Sequence, residues 1–310
     1  MASSELVATA AEVRERVAAA RADGKAIGLV PTMGALHEGH LTLMRRARAE
    51  SGYVVVSIFV NPTQFVAGED FERYPRDLAG DGKLCGSVGA DLILAPEVSE
   101  VYPPGDSTWV EVTGALVEGM CAPHRPGHFR GVTTVCARLF NIVRPDRAYF
   151  GEKDYQQLQV VKRMVRDLKF PLEVIPVPTV REPDGMAMSS RNAYLSPEER
   201  KAAVSLSRAL FAAGDLADAG ERDTHKLVAA ARAVTQAEPL LRLQYLELRD
   251  AETLETVTHV ERPVVLAVAA LVGRARLIDN VVMVPGFSVD RIERDVYHEG
   301  DVKKGQGARR

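Results

Sequence analysis

Apolar residues recur along this chain with two different spacings, and the change from one to the other marks out its elements. Compact apolar runs at 26–30, 53–60, 91–94, 147–150 and 172–177 predict buried strands. Stretches with a three-to-four-residue period between them, such as 41–47 and 132–143, predict helices. Strand and helix in alternation imply parallel βαβ units, a Rossmann-like parallel sheet with helices on both faces. Ahead of them, Thr9-Ala10-Ala11-Glu12 reads as a capping box opening an alanine-rich helix through Ala20, which leaves the preceding residues as a loose lead-in. The turn-rich passage Arg181-Glu182-Pro183-Asp184-Gly185 interrupts the alternation, and Ser196-Pro197-Glu198-Glu199 caps a new helix with proline in its first turn. A helix at about 224–237 and strands at 241–248, 264–272 and 277–283 then suggest a smaller α+β unit. The expected fold class is α/β, with a Rossmann-like domain over residues 1–184, a smaller α+β C-terminal domain over 185–290 and a flexible tail over 291–310.

Composition narrows the class of function. At 310 residues the chain suits two domains, and 46% hydrophobic against 26% charged residues fits a soluble protein with a sizeable core. A formal net charge of -3 gives no general attraction to nucleic acid, and the basic pairs Lys303-Lys304 and Arg309-Arg310 are confined to the tail. Cys85, Cys121 and Cys136, without C-x-x-C spacing, predict reduced thiols and a cytoplasmic location. No secretory signal pattern opens the sequence. The longest apolar run, 263–273, is about half of what a bilayer span needs, so it reads as a buried strand and implies no membrane.

The strand at 26–30 runs into Pro31-Thr32-Met33-Gly34-Ala35-Leu36-His37-Glu38-Gly39-His40 before the next helix. Such a glycine-bearing loop lies at the carboxyl edge of a parallel sheet, where unpaired N–H groups and the helix dipole attract phosphate. His37 and His40 can donate to phosphoryl oxygens as negative charge builds. No G-x-x-x-x-G-K-[ST] or G-x-G-x-x-G pattern occurs, which excludes a kinase-type P-loop, and HEGH lacks the histidine spacing of the H-E-x-x-H zinc motif.

Three further loops carry chemistry. Asn61-Pro62-Thr63-Gln64-Phe65 follows the strand ending at Val60 and offers uncharged amides to a small hydroxy acid. Gly151-Glu152-Lys153-Asp154-Tyr155-Gln156-Gln157 follows the strand at 147–150; Lys153 suits phosphate charge, while Glu152 and Asp154 also suit a helix's first turn. Met188-Ser189-Ser190-Arg191-Asn192 brings hydroxyls, backbone donors and a guanidinium fit to grip a triphosphate. His124-Arg125-Pro126-Gly127-His128-Phe129-Arg130-Gly131 is a cation-rich turn in which Arg125 and His128 could meet an anionic substrate. Cys121-x-x-His124 finds no second pair to complete a zinc site.

Taken in order, PTMGALHEGH, SIFVNPTQF, RPGHFRGV, GEKDYQQL and MSSRNAYL closely resemble the pantothenate synthetase (pantoate–β-alanine ligase) family over roughly residues 20–285. HEGH and MSSR look like that family's versions of the HIGH and KMSKS signatures of the nucleotidylyltransferase superfamily. The resemblance implies two steps: pantoate's carboxylate attacks the α-phosphorus of ATP to give pantoyl adenylate and pyrophosphate, and β-alanine's amine then displaces AMP, with no covalent enzyme intermediate. It also implies an ATP site made of Met33, Gly34, Ala35, Leu36, His37, Glu38, Gly39 and His40, of Gly151, Glu152, Lys153 and Asp154, of Val180 against the adenine, and of Met188, Ser189, Ser190 and Arg191 over the triphosphate. His40 takes the family's proton-donor position, with His37, Lys153 and Arg191 as the other catalytic phosphate contacts. Gln64 and Gln157 would hold pantoate, Gln64 also near β-alanine, with Asn61 shaping the pocket and Arg125 and His128 beside it. Magnesium is expected on the phosphates of ATP, through water and substrate oxygens. A homodimer through the N-terminal domain is implied as well. The run 118–124 before RPGHF is slightly longer than is common in the family, and the tail beyond about Val296 lies outside the resemblance.

Two other functions share part of the pattern. A nucleotidylyltransferase that releases an adenylylated cofactor would use the same HEGH chemistry, but its phosphorylated acceptor would need extra arginines around Asn61, Gln64 and Gln157. A non-catalytic ATP sensor would not need His40, Lys153 and Arg191 together. Because MSSR follows the boundary turn and must approach HEGH, the C-terminal unit is expected to act as a lid that excludes water.

Overall fold

A computed structural model of the protein describes residues 4–286. Strands β1 (Glu5–Val7), β2 (Ile27–Thr32), β3 (Tyr53–Ile58), β4 (Leu92–Leu94), β5 (Arg147–Gly151) and β6 (Glu173–Val177) form a parallel sheet in the order β1-β4-β3-β2-β5-β6. Helices α1 (Ala10–Ala22), α2 (Glu38–Glu50), α3 (Leu78–Ser87), α4 (Val98–Val101), α5 (His128–Val143) and α6 (Tyr155–Asp167) connect them. Successive strand residues point to opposite layers. Ile27, Leu29, Val55, Leu92 and Leu94 pack with α1, α5 and α6, and Val30, Val54, Val56 and Ile93 with α2 and α3. Burial on both faces is why these strands read as continuous apolar runs rather than as alternation.

The sheet places the site. From β2 the chain moves outward through β3 to β4, then crosses back to β5 on the other side of β2. The order reverses between β2 and β5, so a crevice opens outside their carboxyl ends. Those two strands share only the pairs Gly28–Arg147 and Leu29–Ala148, and run on unpaired with each other to Thr32 and Gly151.

The C-terminal part holds α7 (Pro197–Ala203), α8 (Ser205–Asp218), α9 (Thr224–Gln236) and an antiparallel sheet of β7 (Leu241–Asp250), β8 (Val264–Val272) and β9 (Ala275–Met283). The single helix expected after Ser196 is two, α7 and α8, joined at Val204. Strand β8 explains the longest apolar run of the sequence. Val264, Leu266, Val268, Ala270 and Val272 pack with buried residues of α8 and α9, while Val265, Ala267 and Ala269 pack with Leu116, Tyr155 and Val160 of the first unit. An apolar seam therefore fastens the two sheets together, and Tyr155 Oη reinforces it by donating to the Ala251 carbonyl at 2.8 Å.

One expectation is overturned at the start of the chain. The segment before the first capped helix is not a loose lead-in: Glu5, Leu6 and Val7 pair with Leu92, Ile93 and Leu94 as an edge strand. Three residues with only Val7 buried are too short to show a period. Cys85, Cys121 and Cys136 are buried and free. Among the described residues no helix is long and apolar enough to cross a membrane. The tail at 291–310 and the last residues of the 185–290 unit lie outside the described residues.

Candidate functional site

A cavity of about 230 Å³ fills the crevice. Its wall takes Met33, His37, Gly39 and His40 from the loop after β2 and the start of α2, and Asn61 and Gln64 from the turn after β3. Gly151, Lys153, Asp154 and Gln157 come from the end of β5 and the start of α6, and Val180, Met188, Ser189, Ser190 and Arg191 from the segment after β6. Arg125 and His128 line it as well, among apolar residues such as Phe59, Val132 and Leu139. Gly34, Ala35, Leu36, Glu38 and Glu152 are not on the wall.

The reasons are local. Gly34 sits at φ +80°, and a Cβ there would lie 2.8 Å from Asp81 Oδ2. Ala35 is also left-handed, at φ +50°, a conformation that costs a residue with a Cβ about 1–2 kcal/mol. The Asp81 carboxylate, from α3, holds the bend by accepting the N–H groups of Ala35 and Leu36 at 3.0 and 2.8 Å. These backbone donors are thus turned toward α3. Glu38 pairs with Arg45 on α2. Glu152 presents its carbonyl to Asn280 rather than to the cavity. Asp81→Ala is expected to cost about 1–3 kcal/mol of stability by orphaning two backbone donors, and Asp81→Asn less, because its amide oxygen still accepts; urea denaturation of both variants checks the order.

The two histidines form a mutual cap on α2. Gly39 N–H donates to His37 Nδ1 at 3.2 Å, and His37 N–H donates to His40 Nδ1 at 3.3 Å. A ring that accepts at Nδ1 carries its proton on Nε2 when neutral. Burial, then the positive charge of Lys153, lowers the His37 pKa to about 4. Burial, then His37 and Lys153, lowers that of His40 to about 3. Both are neutral at pH 7, and each has an Nε2–H to donate rather than the charge of an imidazolium.

His128 is buried and neutral too, pushed down to about 3 by burial and then by Arg125. The three folded-state values lie below the unfolded value near 6.5, so the unfolded chain binds more protons between the two. Stability is fully present above about pH 6.5 and is lost as pH falls toward 3, by up to about 1.4 kcal/mol per pH unit for each buried ring. The melting temperature should fall between pH 7 and pH 5; an unchanged value would show that these rings are not buried neutral.

Uncharged amides form part of the wall. Asn61 is 1% exposed, and all its polar capacity is used within the protein. Its Nδ2 donates to Gln64 Oε1 at 3.0 Å and to the Gly131 carbonyl at 3.2 Å, and its Oδ1 accepts from Tyr102 Oη at 2.8 Å. The turn fits against α5 because Gly131 has no side chain: a Cβ there would lie 2.3 Å from the Thr63 carbonyl oxygen. Gln64 Nε2 faces Met33 Sδ at 3.1 Å.

Arg125 and His128 line the cavity, yet their polar atoms are committed elsewhere. Arg125 forks onto Glu69 at 2.6 and 2.7 Å and donates to His128 Nε2 at 2.9 Å. That leaves the His128 proton on Nδ1, which donates to the Gln64 carbonyl at 2.8 Å. The pair, expected beside an anionic substrate, here braces the Gln64 backbone.

Cations line the same cavity. Lys153 Nζ lies 3.7 Å from the Asp154 carboxylate. Asn280 Nδ2, on β9, donates to the carbonyls of Glu152 and Lys153 at 2.9 Å each, so the C-terminal sheet fixes the lysine loop. Next to it, Asp279 accepts a buried fork from Arg181 at 2.7 and 3.1 Å. Arg191 forks onto Asp70 at 3.0 and 2.8 Å. Burial opposes its charge, but the Asp70 hydrogen bonds and charge outweigh it and raise its pKa. Asp70, Asp81 and Asn280 escaped the sequence reading because each acts through a tertiary contact with no local pattern.

Asp154 is the carboxylate on the cavity wall. Burial raises its pKa, but the charges of Lys153 and Arg191 outweigh this and hold it below the usual range. Among the described residues no group of three His, Cys, Asp or Glu is placed to hold a metal ion. A hard cation would find one anionic oxygen donor group here and would depend on ligand oxygens and water for the rest.

Comparison with known proteins agrees with this geometry. The family model described as pantoate-beta-alanine ligase matches residues 5–282. The pantothenate synthetase of Moorella thermoacetica is 57% identical over 90% of this chain and 98% of its own. The crystal structure of pantothenate synthetase from Thermus thermophilus superposes with a TM-score of 0.85 at 50% identity, covering 89% of this chain and 98% of that one. The pantoate-beta-alanine ligase of Francisella tularensis, solved in complex with beta-gamma ATP and beta-alanine, gives a TM-score of 0.72 at 30% identity over 92% of this chain and 99% of that one.

Proposed function

This chain belongs to the pantoate-beta-alanine ligase family and is an enzyme that joins pantoate to β-alanine using ATP, and from that premise we propose that it works through pantoyl adenylate bound at the β2–β5 crevice. The observation that carries the reading is that one cavity is lined both by uncharged amides, Asn61, Gln64 and Gln157, and by the cations Lys153 and Arg191. A carboxylate held by the amides of Gln64 and Gln157 would stay a nucleophile, because amides donate hydrogen bonds without adding charge. Lys153, Arg191 and the Nε2–H groups of His37 and His40 would receive the triphosphate, with Val180 against the adenine.

In the first step a pantoate carboxylate oxygen bonds to the α-phosphorus. The bond to the bridging oxygen breaks, and pyrophosphate leaves with its electron pair. Charge grows on the phosphoryl oxygens, where prearranged donors act without reorganising. In the second step the free amine of β-alanine bonds to the acyl carbon, AMP leaves with the electrons of the C–O bond, and the amine's proton passes to water. Asp154 is the residue that would hold magnesium, whose charge would offset that of the phosphates. Arg191 would exchange Asp70 for phosphate, so that the segment at 188–191 closes over the nucleotide.

We assign the units at 1–184 and 185–290 to binding and closure respectively. The apolar seam between β8 and the first unit restricts closure to a pivot of the loops above it. A cytoplasmic homodimer through the first unit follows the family resemblance, and three buried free thiols suit a reducing compartment. The route is tested by pantoate-dependent exchange of labelled pyrophosphate into ATP without β-alanine. The reading expects exchange; exchange that requires β-alanine would overturn it.

A further inference from the structure

A second cavity, of about 360 Å³, adjoins the first between the two sheets. Arg125, Lys153, Asp154, Ser189 and Arg191 line both and form a common wall. Its remaining sides come from the loop at 66–73, from Gln244 on β7, and from Arg274 and Arg276 at the β8–β9 turn.

The charges on this lining do not balance. Its carboxylates are already matched: Glu69 with Arg125 at 2.6 Å, Asp70 with Arg191 at 2.8 Å and Asp154 with Lys153 at 3.7 Å. Arg73, Arg274 and Arg276 have no carboxylate within ion-pair distance among the described residues. Arg276 donates to Gln244 Oε1 at 2.8 Å and to Cys121 Sγ at 3.4 Å, and Arg274 lies over the Tyr194 ring at 5.8 Å. These partners orient the guanidinium groups without cancelling their charge. Like charges gathered around a recess focus an attractive potential for a multivalent anion, and a guanidinium fork matches phosphate oxygens.

We propose that this second cavity is a binding site for inorganic pyrophosphate, taking the leaving group from the α-phosphorus as the adenylate forms. The proposal rests on the adenylate route. Lys153 and Arg191 face both cavities, so the anion passes from one to the other without leaving cationic surroundings. Arg73, Arg274 and Arg276 then hold it apart from the nucleotide, which slows recombination with the adenylate.

The test is calorimetric titration of the whole protein with pyrophosphate and, separately, with a non-hydrolysable ATP analogue. Arg73→Gln, Arg274→Gln and the double variant change exposed side chains only, and each should keep the melting temperature of the unaltered protein. The double variant should bind pyrophosphate at least tenfold more weakly and the analogue within twofold of normal. Unchanged pyrophosphate affinity would overturn the proposal. So would an equal loss for the analogue, which would make the cavity part of the triphosphate site, or displacement of pyrophosphate by equimolar sulfate, which would mark an unselective anion patch. Failure of the adenylate route would show separately, as absent pyrophosphate exchange in the unaltered protein.

Discussion

His40→Ala and Lys153→Ala should each lower the rate of adenylate formation by a hundredfold or more, about 2.7 kcal/mol of lost transition-state stabilisation. The two losses have different structural side effects. Lys153 is held through its backbone carbonyl by Asn280, so removing its side chain leaves the loop in place. His40 also accepts the His37 N–H at its Nδ1, and alanine additionally removes a cap worth about 1 kcal/mol. His40→Asn separates the roles, because its amide oxygen can accept that N–H while no donor reaches the Nε2 position. Asparagine should therefore restore stability without restoring rate. Single-turnover measurements of AMP formation beside thermal melts decide the matter, and normal turnover in His40→Asn would remove the histidine from the chemistry.

Arg191→Ala should reduce kcat/KM for ATP about a hundredfold, and Arg191→Lys should recover less than about tenfold of it. A lysine keeps the charge but not the planar fork that grips two oxygens at once. The present geometry spends that fork on Asp70, at 3.0 and 2.8 Å. Closure over phosphate is then an exchange of one anion for another and needs no newly buried charge. Asp70→Asn removes the competing carboxylate and should lower KM for ATP severalfold while leaving the Arg191 contribution to kcat intact. Steady-state kinetics of the three variants check this; a lysine variant with full activity would contradict the role given to the fork.

How much of this was legible in the sequence depended on whether a feature was local. His37, His40, Lys153 and Arg191 could be picked out because each lies in a short loop at a strand end or just past a turn. The strands themselves were visible as apolar runs. Supporting contacts were hidden because they join distant segments: Asp81 to Leu36 across 45 positions and Asn280 to Lys153 across 127. Arg125 and His128 show the converse. Their composition suggested a substrate contact, but only the packed structure reveals that Glu69 and the Gln64 carbonyl already hold them. The partner of the Ala35 and Leu36 backbone N–H groups was hidden for the same reason, since the carboxylate that takes them arrives from another helix. Strand β1 was missed because pairing with β4, rather than any internal pattern, makes it a strand.

The most direct measurement follows the oxygen atoms of pantoate. With pantoate labelled with oxygen-18 in its carboxylate, attack on the α-phosphorus leaves one labelled oxygen in AMP after β-alanine displaces the acyl group. Mass spectrometry of the nucleotide product should find that single label in nearly every molecule of AMP. Unlabelled AMP, with the heavy oxygen in pyrophosphate instead, would mean that the carboxylate attacks the β-phosphorus and that no adenylate forms.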